Sequence, residues 1–334
     1  MNPTTTTPAV LSPAHVANRR LARSINLALD LGAPEERIWT VPITAEHLER
    51  CAQAGFIAIR LICALSLHPD RRGTRRIDER VIDRINAIAG DAADLGLTIV
   101  VANMLDLGLM ADPPTHRERL LEATHELAAS LSGHGPHLLI EPLAEPTDAL
   151  DGQWNAYLED LRRTVRNADP ARTIVAGPRS HNNARFLNDL VIAPDENNLI
   201  LTIHQYWPIM FTMQGEAWLG ATPLGRPESW VGTAWEGDAR ERAELEQGFA
   251  AVAHHAHTQN RPVFVGEFGT SDNADMASRI RWTRFNRELA EAHDFSWGYF
   301  SYGPTFSLWE DTADRWHREL LRALIPQTPL NAGR

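Results

Sequence analysis

Residues 138–146 read LLIEPLAEP and residues 262–272 read PVFVGEFGTSD; each runs from an apolar stretch into a glutamate, Glu145 or Glu267, at its C-terminal end. Short apolar runs bounded by turn residues read as strands buried on both faces, as in parallel sheets covered by helices. When such strands close into a barrel, their C-terminal ends share one rim, and carboxylates distant in sequence can flank one substrate bond. Outward from these two stretches the pattern recurs. Candidate strands start at Ser24 (SINLAL), Ala58 (AIRLI), Leu97 (LTIVVAN), Leu138, Thr173 (TIVAG), Leu199 (LILTIHQY), Pro262 and Phe295 (FSWGYFSY).

Amphipathic segments separate them. TAEHLERCAQAG opens on a Thr cap and stops at Gly55, and IDERVIDRINAIAGDAADLG places Ile77, Val81, Ile82, Ile85 and Ile88 at core-facing spacing. Eight strands alternating with such crossovers predict an α/β chain folded as a single (β/α)8 TIM barrel, with a doubly wound sheet as the alternative. The expected organisation is a disordered N-terminal tail over 1–18, the barrel over 19–328 and a C-terminal tail over 329–334. Trp207 to Asp238 breaks the rhythm; a loop of that length, rich in Trp, Gly and Pro, is expected to cover the substrate.

The chain has 334 residues, 43% of them hydrophobic, enough for one large core. Its 43 acidic and 32 basic residues give a net charge of −11, with no basic block. This disfavours nucleic acid or an anionic membrane as partner, and a neutral or cationic ligand fits better. Every basic residue is Arg. Without lysine there is no Schiff base, no anchor for pyridoxal phosphate and no phosphate-loop lysine. Cys51 and Cys63 lack metal or redox spacing and read as packing residues. No metal and no cofactor is implied. The N-terminus lacks the apolar core of a signal peptide and no stretch is long enough to span a membrane, so the chain as given is expected in the cytoplasm. The oligomeric state is left open.

The stretches SINLALDLGAP, GFIAIRL, LLIEPLAEP, TIHQYWPIMFTMQGEAW, PVFVGEFGTSD and FSWGYFSYGPTF, in this order, resemble glycoside hydrolase family 5, the cellulase-like barrels. The resemblance implies that Glu145 is the general acid/base and Glu267 the nucleophile of a retaining mechanism. In such sites the carboxyls stand roughly 5–5.5 Å apart. Proximity of two negative charges is expected to raise the acid's pKa. Arg60 matches the second-strand Arg that braces the nucleophile, and a guanidinium inside an apolar strand already calls for a carboxylate partner. His204 and Tyr206 match a sixth-strand His-x-Tyr, implied to tune the acid/base and to hydrogen-bond the nucleophile. Glu141 also matches a family Glu, and strand parity places it deeper as a structural carboxylate. Trp207, Trp218, Trp230, Trp235, Trp297 and Trp309 offer faces for sugar rings, although core packing accounts equally well for half of them.

The pattern fails where the sugar would sit. The Asn that precedes the acid/base and bonds the 2-hydroxyl is replaced by Ala144, the third-strand His of many members corresponds to Met104, and a position that holds His in a subset carries Met213. The eighth-strand Trp corresponds to Phe300, with Trp297 as the other alignment. The three changes to Ala or Met make the pocket more apolar. Three readings follow. The first is a retaining β-glycoside hydrolase acting on a small soluble glycoside or oligosaccharide. The second is a repurposed barrel enzyme of a biosynthetic pathway (isomerase, lyase, cyclase or transglycosylase) using both glutamates on a less polar substrate. The third is a non-catalytic binding protein.

Overall fold

The computed structural model describes residues 11–28, 42–65, 67–69, 75–104 and 107–327. All eight expected strands form: β1 (Ser24–Leu27), β2 (Ala58–Cys63), β3 (Thr98–Asn103), β4 (Leu138–Glu141), β5 (Ile174–Ala176), β6 (Leu199–Gln205), β7 (Val263–Phe268) and β8 (Ser296–Tyr299). Each pairs in parallel with the next, and β8 closes on β1. Helices over Ala45–Ala54, Glu79–Asp94, Pro113–Ser130, Trp154–Ala168, Ala239–Thr258 and Met276–Ala292 pack outside. Gly55 ends the first of these in the left-handed region, at φ 100°, where its lack of a Cβ removes the steric penalty. Two hairpins, Leu67–Pro69 with Arg75–Ile77 and Trp309–Glu310 with Arg315–Trp316, were not expected from the sequence.

Strand alternation divides the core. Ile25, Ile59, Leu61, Ile99, Val101, Ile140 and Leu201 face the helices, whereas Ala58, Val100, Leu139, Val175, Ile200 and Phe264 fill the barrel's lower interior. That interior layer is closed from below by Ala14, Ala17 and Leu21. The expected disordered tail is therefore corrected at its end: Pro13–Arg19 is a helix, with Ser12 capping it and Pro at its start. Asn18 fastens it to the barrel, donating to the Val263 carbonyl at 3.1 Å and accepting from Ser296 Oγ at 2.6 Å. Seven residues are too few to show a helical period, so the Ser cap and the Pro after it were the local signals. Residues 1–10 and the tail expected over 329–334 lie outside the described residues.

The register shifts in β7, where Ile203 pairs with Val265 but His204 pairs with Glu267. The bulge falls at Gly266 and reverses the strand's parity, so Glu267 turns inward although Val265 and Phe268 belong to the outer layer. Glycine is required there: a Cβ on Gly266 would stand 2.5 Å from Thr202 Oγ1.

Candidate active site

Arg60 organises the floor of the rim. Its Nη1 donates to Glu267 Oε1 at 2.6 Å and to Asn26 Oδ1 at 2.9 Å, and its Nε donates to Glu141 Oε2 at 2.7 Å. All four side chains are buried. Asn26 is itself held from β1 by donating to the carbonyls of Gly266 and Tyr299. The second oxygen of Glu267 accepts from Tyr206 Oη at 2.9 Å. Burial, with the charges of Glu267 and Glu145, pushes the Tyr206 phenol well above its ordinary pKa, so it stays a donor. Arg60 is likewise held charged: burial opposes the cation, but Glu141 and Glu267 outweigh it. Glu141 thus occupies the deeper position expected of it.

Glu145 follows the end of β4 in a left-handed conformation, φ 54°, uncommon for a side-chain-bearing residue and a mark of local constraint. Its Oε1 lies 2.6 Å from His204 Nδ1, which is also 3.6 Å from Glu267 Oε2. Asn182 Nδ2 lies 3.2 Å from His204 Nε2 and 3.4 Å from Glu141 Oε1. An amide nitrogen only donates, so Nε2 accepts and the imidazole proton sits on Nδ1, facing Glu145. Carboxylate oxygens of Glu145 and Glu267 and a ring nitrogen of His204 all fall within 4.8 Å of one another. By donor type this set would suit a cation, but the Arg60 guanidinium already supplies positive charge at Glu267.

Three contributors escaped the sequence reading: Asn26, His181 and Asn182. The last two come from a turn after β5 in which Ser180, His181 and Asn182 all take left-handed backbone angles, with φ of 58°, 62° and 52°. His181 Nδ1 stands 3.6 Å from Glu145 Oε2. The polar run SHNN, separated by three residues from the end of a strand, was the visible signal, because Asn and His tolerate this region better than most residues.

The charge balance at Glu145 runs opposite to expectation. Burial pushes its carboxyl up, but the His181 and His204 imidazoles outweigh burial and hold it below the usual carboxylate range. Glu145 in turn raises His181, with Asp148 and Asp151 adding to the effect. The expected mutual repulsion is offset by the Arg60 cation paired with Glu267 on the other side, where Tyr206 adds a neutral hydrogen bond.

The departures from the family pattern fall in two apolar clusters that Phe300 joins. Ala144, Met104, Ala28, Ile62 and Ala102 form a buried apolar cluster beside Glu145, with Phe300 packed on it. Phe300 also packs on a second cluster of Met213, Trp230 and Phe306, against which Tyr206 rests. Phe300 therefore sits at the site, and Trp297 is removed from it. Trp297 points into the layer between barrel and helices, packs edge-on to Phe268 and reaches Glu291 with its indole nitrogen. Strand parity explains this, since Trp297 and Phe300 lie on opposite faces of β8 and its extension.

Of the remaining tryptophans, Trp230, Trp235 and Trp309 are buried, while Trp207 and Trp218 are 41% and 63% exposed. The stretch from Trp207 to Asp238 is ordered and pinned. Gln214 donates to the Phe211 and Thr233 carbonyls and accepts from Gly232, and Glu216 joins Ser271 Oγ to Trp218 Nε1, both at 2.6 Å. Its Met213 and Trp230 belong to the cluster on which Tyr206, the hydrogen-bond partner of Glu267, rests.

A closed parallel barrel carrying two opposed glutamates at the C-terminal ends of β4 and β7, one clasped by histidines and the other by Arg and Tyr, defines a barrel with a paired-carboxylate site. The chain belongs to glycosyl hydrolase family 5: the family described as Cellulase (glycosyl hydrolase family 5) matches residues 24–305. It is similar to Cellulase/esterase CelE of Acetivibrio thermocellus, 25% identical over 330 residues, covering 90% of this chain and 39% of that protein. The chain thus spans about two fifths of that relative's length. Cellodextrinase A of Ruminococcus flavefaciens is 23% identical over 265 residues, covering 76% of each chain. Among solved structures, Thermotoga maritima Cel5A in complex with cellobiose superposes with a TM-score of 0.87 at 30% identity, covering 93% of this chain and 99% of that one. Among the described residues no helix is long and apolar enough to cross a membrane.

Proposed function

We propose that the chain is a retaining β-glycoside hydrolase of a small soluble glycoside, with Glu267 as nucleophile and Glu145 as acid and base. The observation that carries this reading is that an oxygen of each carboxylate lies within 4.8 Å of an oxygen of the other, which suits the retaining separation of about 5–5.5 Å. Glu267, ionised against Arg60 and oriented by Tyr206, attacks the anomeric carbon while Glu145 gives a proton to the leaving oxygen. A glycosyl ester forms on Glu267. Water, deprotonated by Glu145, then attacks the same carbon and the ester breaks, restoring both carboxyls. The exposed face of Trp218, held by Glu216, offers a stacking surface for a second ring. The names of the relatives, a cellulase/esterase and a cellodextrinase, agree with β-glucan fragments as the substrate class.

The test is the hydrolysis of phenyl β-cellobioside followed by proton NMR. The first-formed sugar should be the β-anomer, and Glu267→Gln should lower kcat by at least about 10³-fold. Appearance of the α-anomer first, or wild-type rates in the variant, would refute the assignment.

A second reading is favoured by the apolar cluster of Ala144, Met104, Ala28, Ile62 and Ala102 with Phe300. In it the same glutamates act on a less hydroxylated substrate in a biosynthetic reaction, such as an isomerisation, elimination, cyclisation or glycosyl transfer.

A further inference from the structure

The two oxygens of Glu145 have different neighbours. Oε1 meets His204, which is buried and fixed by Asn182. Oε2 meets His181, whose side chain is 60% exposed and stands at the open rim. His181 is aimed by its own surroundings: its backbone N–H donates to the Pro146 carbonyl at 3.1 Å, and its Nε2 lies 3.1 Å from Thr147 Oγ1. Both partners directly follow Glu145 in sequence, so the imidazole and the carboxyl are tied to the same loop. The turn is anchored from the other side by Ser180 N–H, which donates to Asp151 Oδ1 at 2.8 Å. A run of three left-handed residues is unfavourable for L-amino acids and persists where its surroundings over-determine it. Here the strained turn sends Asn182 inward to His204 and His181 outward to Glu145.

A retaining cycle needs a proton on Glu145 at one step and a bare carboxylate at the next, yet the imidazoles beside Glu145 lower its carboxyl while Glu145 raises His181, so the carboxyl is the stronger acid of the pair. Resting on the reading of Glu145 as acid and base, we propose that His181 is a positioning residue that stores the proton Glu145 delivers and takes it back at the end of each turnover. At rest the proton is on His181 Nδ1 and Glu145 is ionised. When a glycoside enters, the proton moves to Glu145 and on to the leaving oxygen as the anomeric C–O bond breaks and the Glu267 ester forms, leaving His181 neutral. Water then attacks the anomeric carbon, its proton passes through Glu145 to His181, and the ester bond breaks. One proton leaves with the alcohol and one returns from water.

The charged groups facing His181 are Glu145, Asp148 and Asp151, the last also 3.9 Å from Arg179. His204 lies beyond Glu145. All three carboxylates favour the imidazolium, so removal of Glu145 alone should lower the His181 pKa without abolishing the effect of the aspartates.

Two measurements test this on the full chain. With ¹⁵N-histidine labelling, the His181 resonance is identified by its loss in His181→Asn, a substitution that tolerates the left-handed backbone. Its midpoint in the wild type should lie above that of an ordinary histidine and should fall in Glu145→Gln. An unchanged midpoint in Glu145→Gln overturns the proposal. In hydrolysis, His181→Asn should move the alkaline limb of kcat/KM for phenyl β-cellobioside to lower pH. It should also slow that substrate about tenfold more than the 2,4-dinitrophenyl analogue, whose leaving group needs no proton. An unchanged limb with an equal loss on both substrates likewise overturns it. Failure of the wild type to hydrolyse either substrate refutes the glycosidase reading instead, and the NMR measurement then decides the pairing of His181 with Glu145 by itself.

Discussion

Arg60 and Glu267 meet at 2.6 Å with the guanidinium fully buried and the carboxylate 4% exposed, and the same guanidinium holds Glu141 at 2.7 Å. One cation therefore serves two buried anions, with Asn26, Asn182 and Tyr206 supplying neutral hydrogen bonds around it. Such an arrangement adds little net stability over an apolar core, but breaking it is costly because each orphaned charge keeps its full desolvation penalty.

Arg60→Met should therefore destabilise the fold by about 3–5 kcal/mol at pH 7. The loss should shrink as pH falls toward the carboxylate range, since protonation removes the uncompensated charge. Urea denaturation at several pH values measures both. A variant as stable as the wild type at pH 7 would mean that Glu141 and Glu267 are not held as ions by Arg60.

Gly266 gives a separate test of how Glu267 is aimed. Adding one methyl in Gly266→Ala places a carbon 2.5 Å from Thr202 Oγ1, so the β7 bulge must shift or Thr202 must turn. Overpacking of this kind costs about 1–3 kcal/mol. Because the bulge turns Glu267 inward, kcat on phenyl β-cellobioside should drop about 100-fold or more, with KM little changed. Thermal unfolding and steady-state kinetics check the two parts, and full activity would show that the bulge does not position Glu267.

The same bulge marks the boundary of what the sequence could reveal. Eight strands and both rim glutamates were legible because short apolar runs alternate with amphipathic segments along the chain. Arg60 was legible because a guanidinium in an apolar strand demands an anion. Strict alternation along β7, however, sends Glu267 outward with Val265, and only the Gly that precedes it hints at the reversal. Trp297 stood beside Phe300 as an alternative because the two are three residues apart in sequence, and it is strand parity that separates them. His181 and Asn182 were missed because a left-handed turn has no period, and their partners lie on other strands. The expectation for the acid's pKa failed for a related reason: it weighed the two glutamates against each other without the second imidazole.

Ala144 separates the two functional readings. It is completely buried between Glu145 and the cluster of Met104, Ala28, Ile62 and Ala102, at the position where the family resemblance implies an Asn bonded to the sugar 2-hydroxyl. Under the hydrolase reading, Ala144→Asn restores a hydrogen bond that strengthens in the transition state and should raise kcat on phenyl β-cellobioside about tenfold, with a smaller effect on KM. The gain should vanish on the matching 2-deoxy glycoside, which lacks the hydroxyl that the amide would bind. Should the pocket instead serve a less polar substrate, the new amide is buried without partners, at a cost of about 1–3 kcal/mol. Stability would then fall with no gain on any cellobioside. Kinetics on the two glycosides together with urea denaturation distinguish these outcomes: a gain confined to the 2-hydroxylated substrate supports the hydrolase, and a loss of stability without gain supports the refashioned pocket.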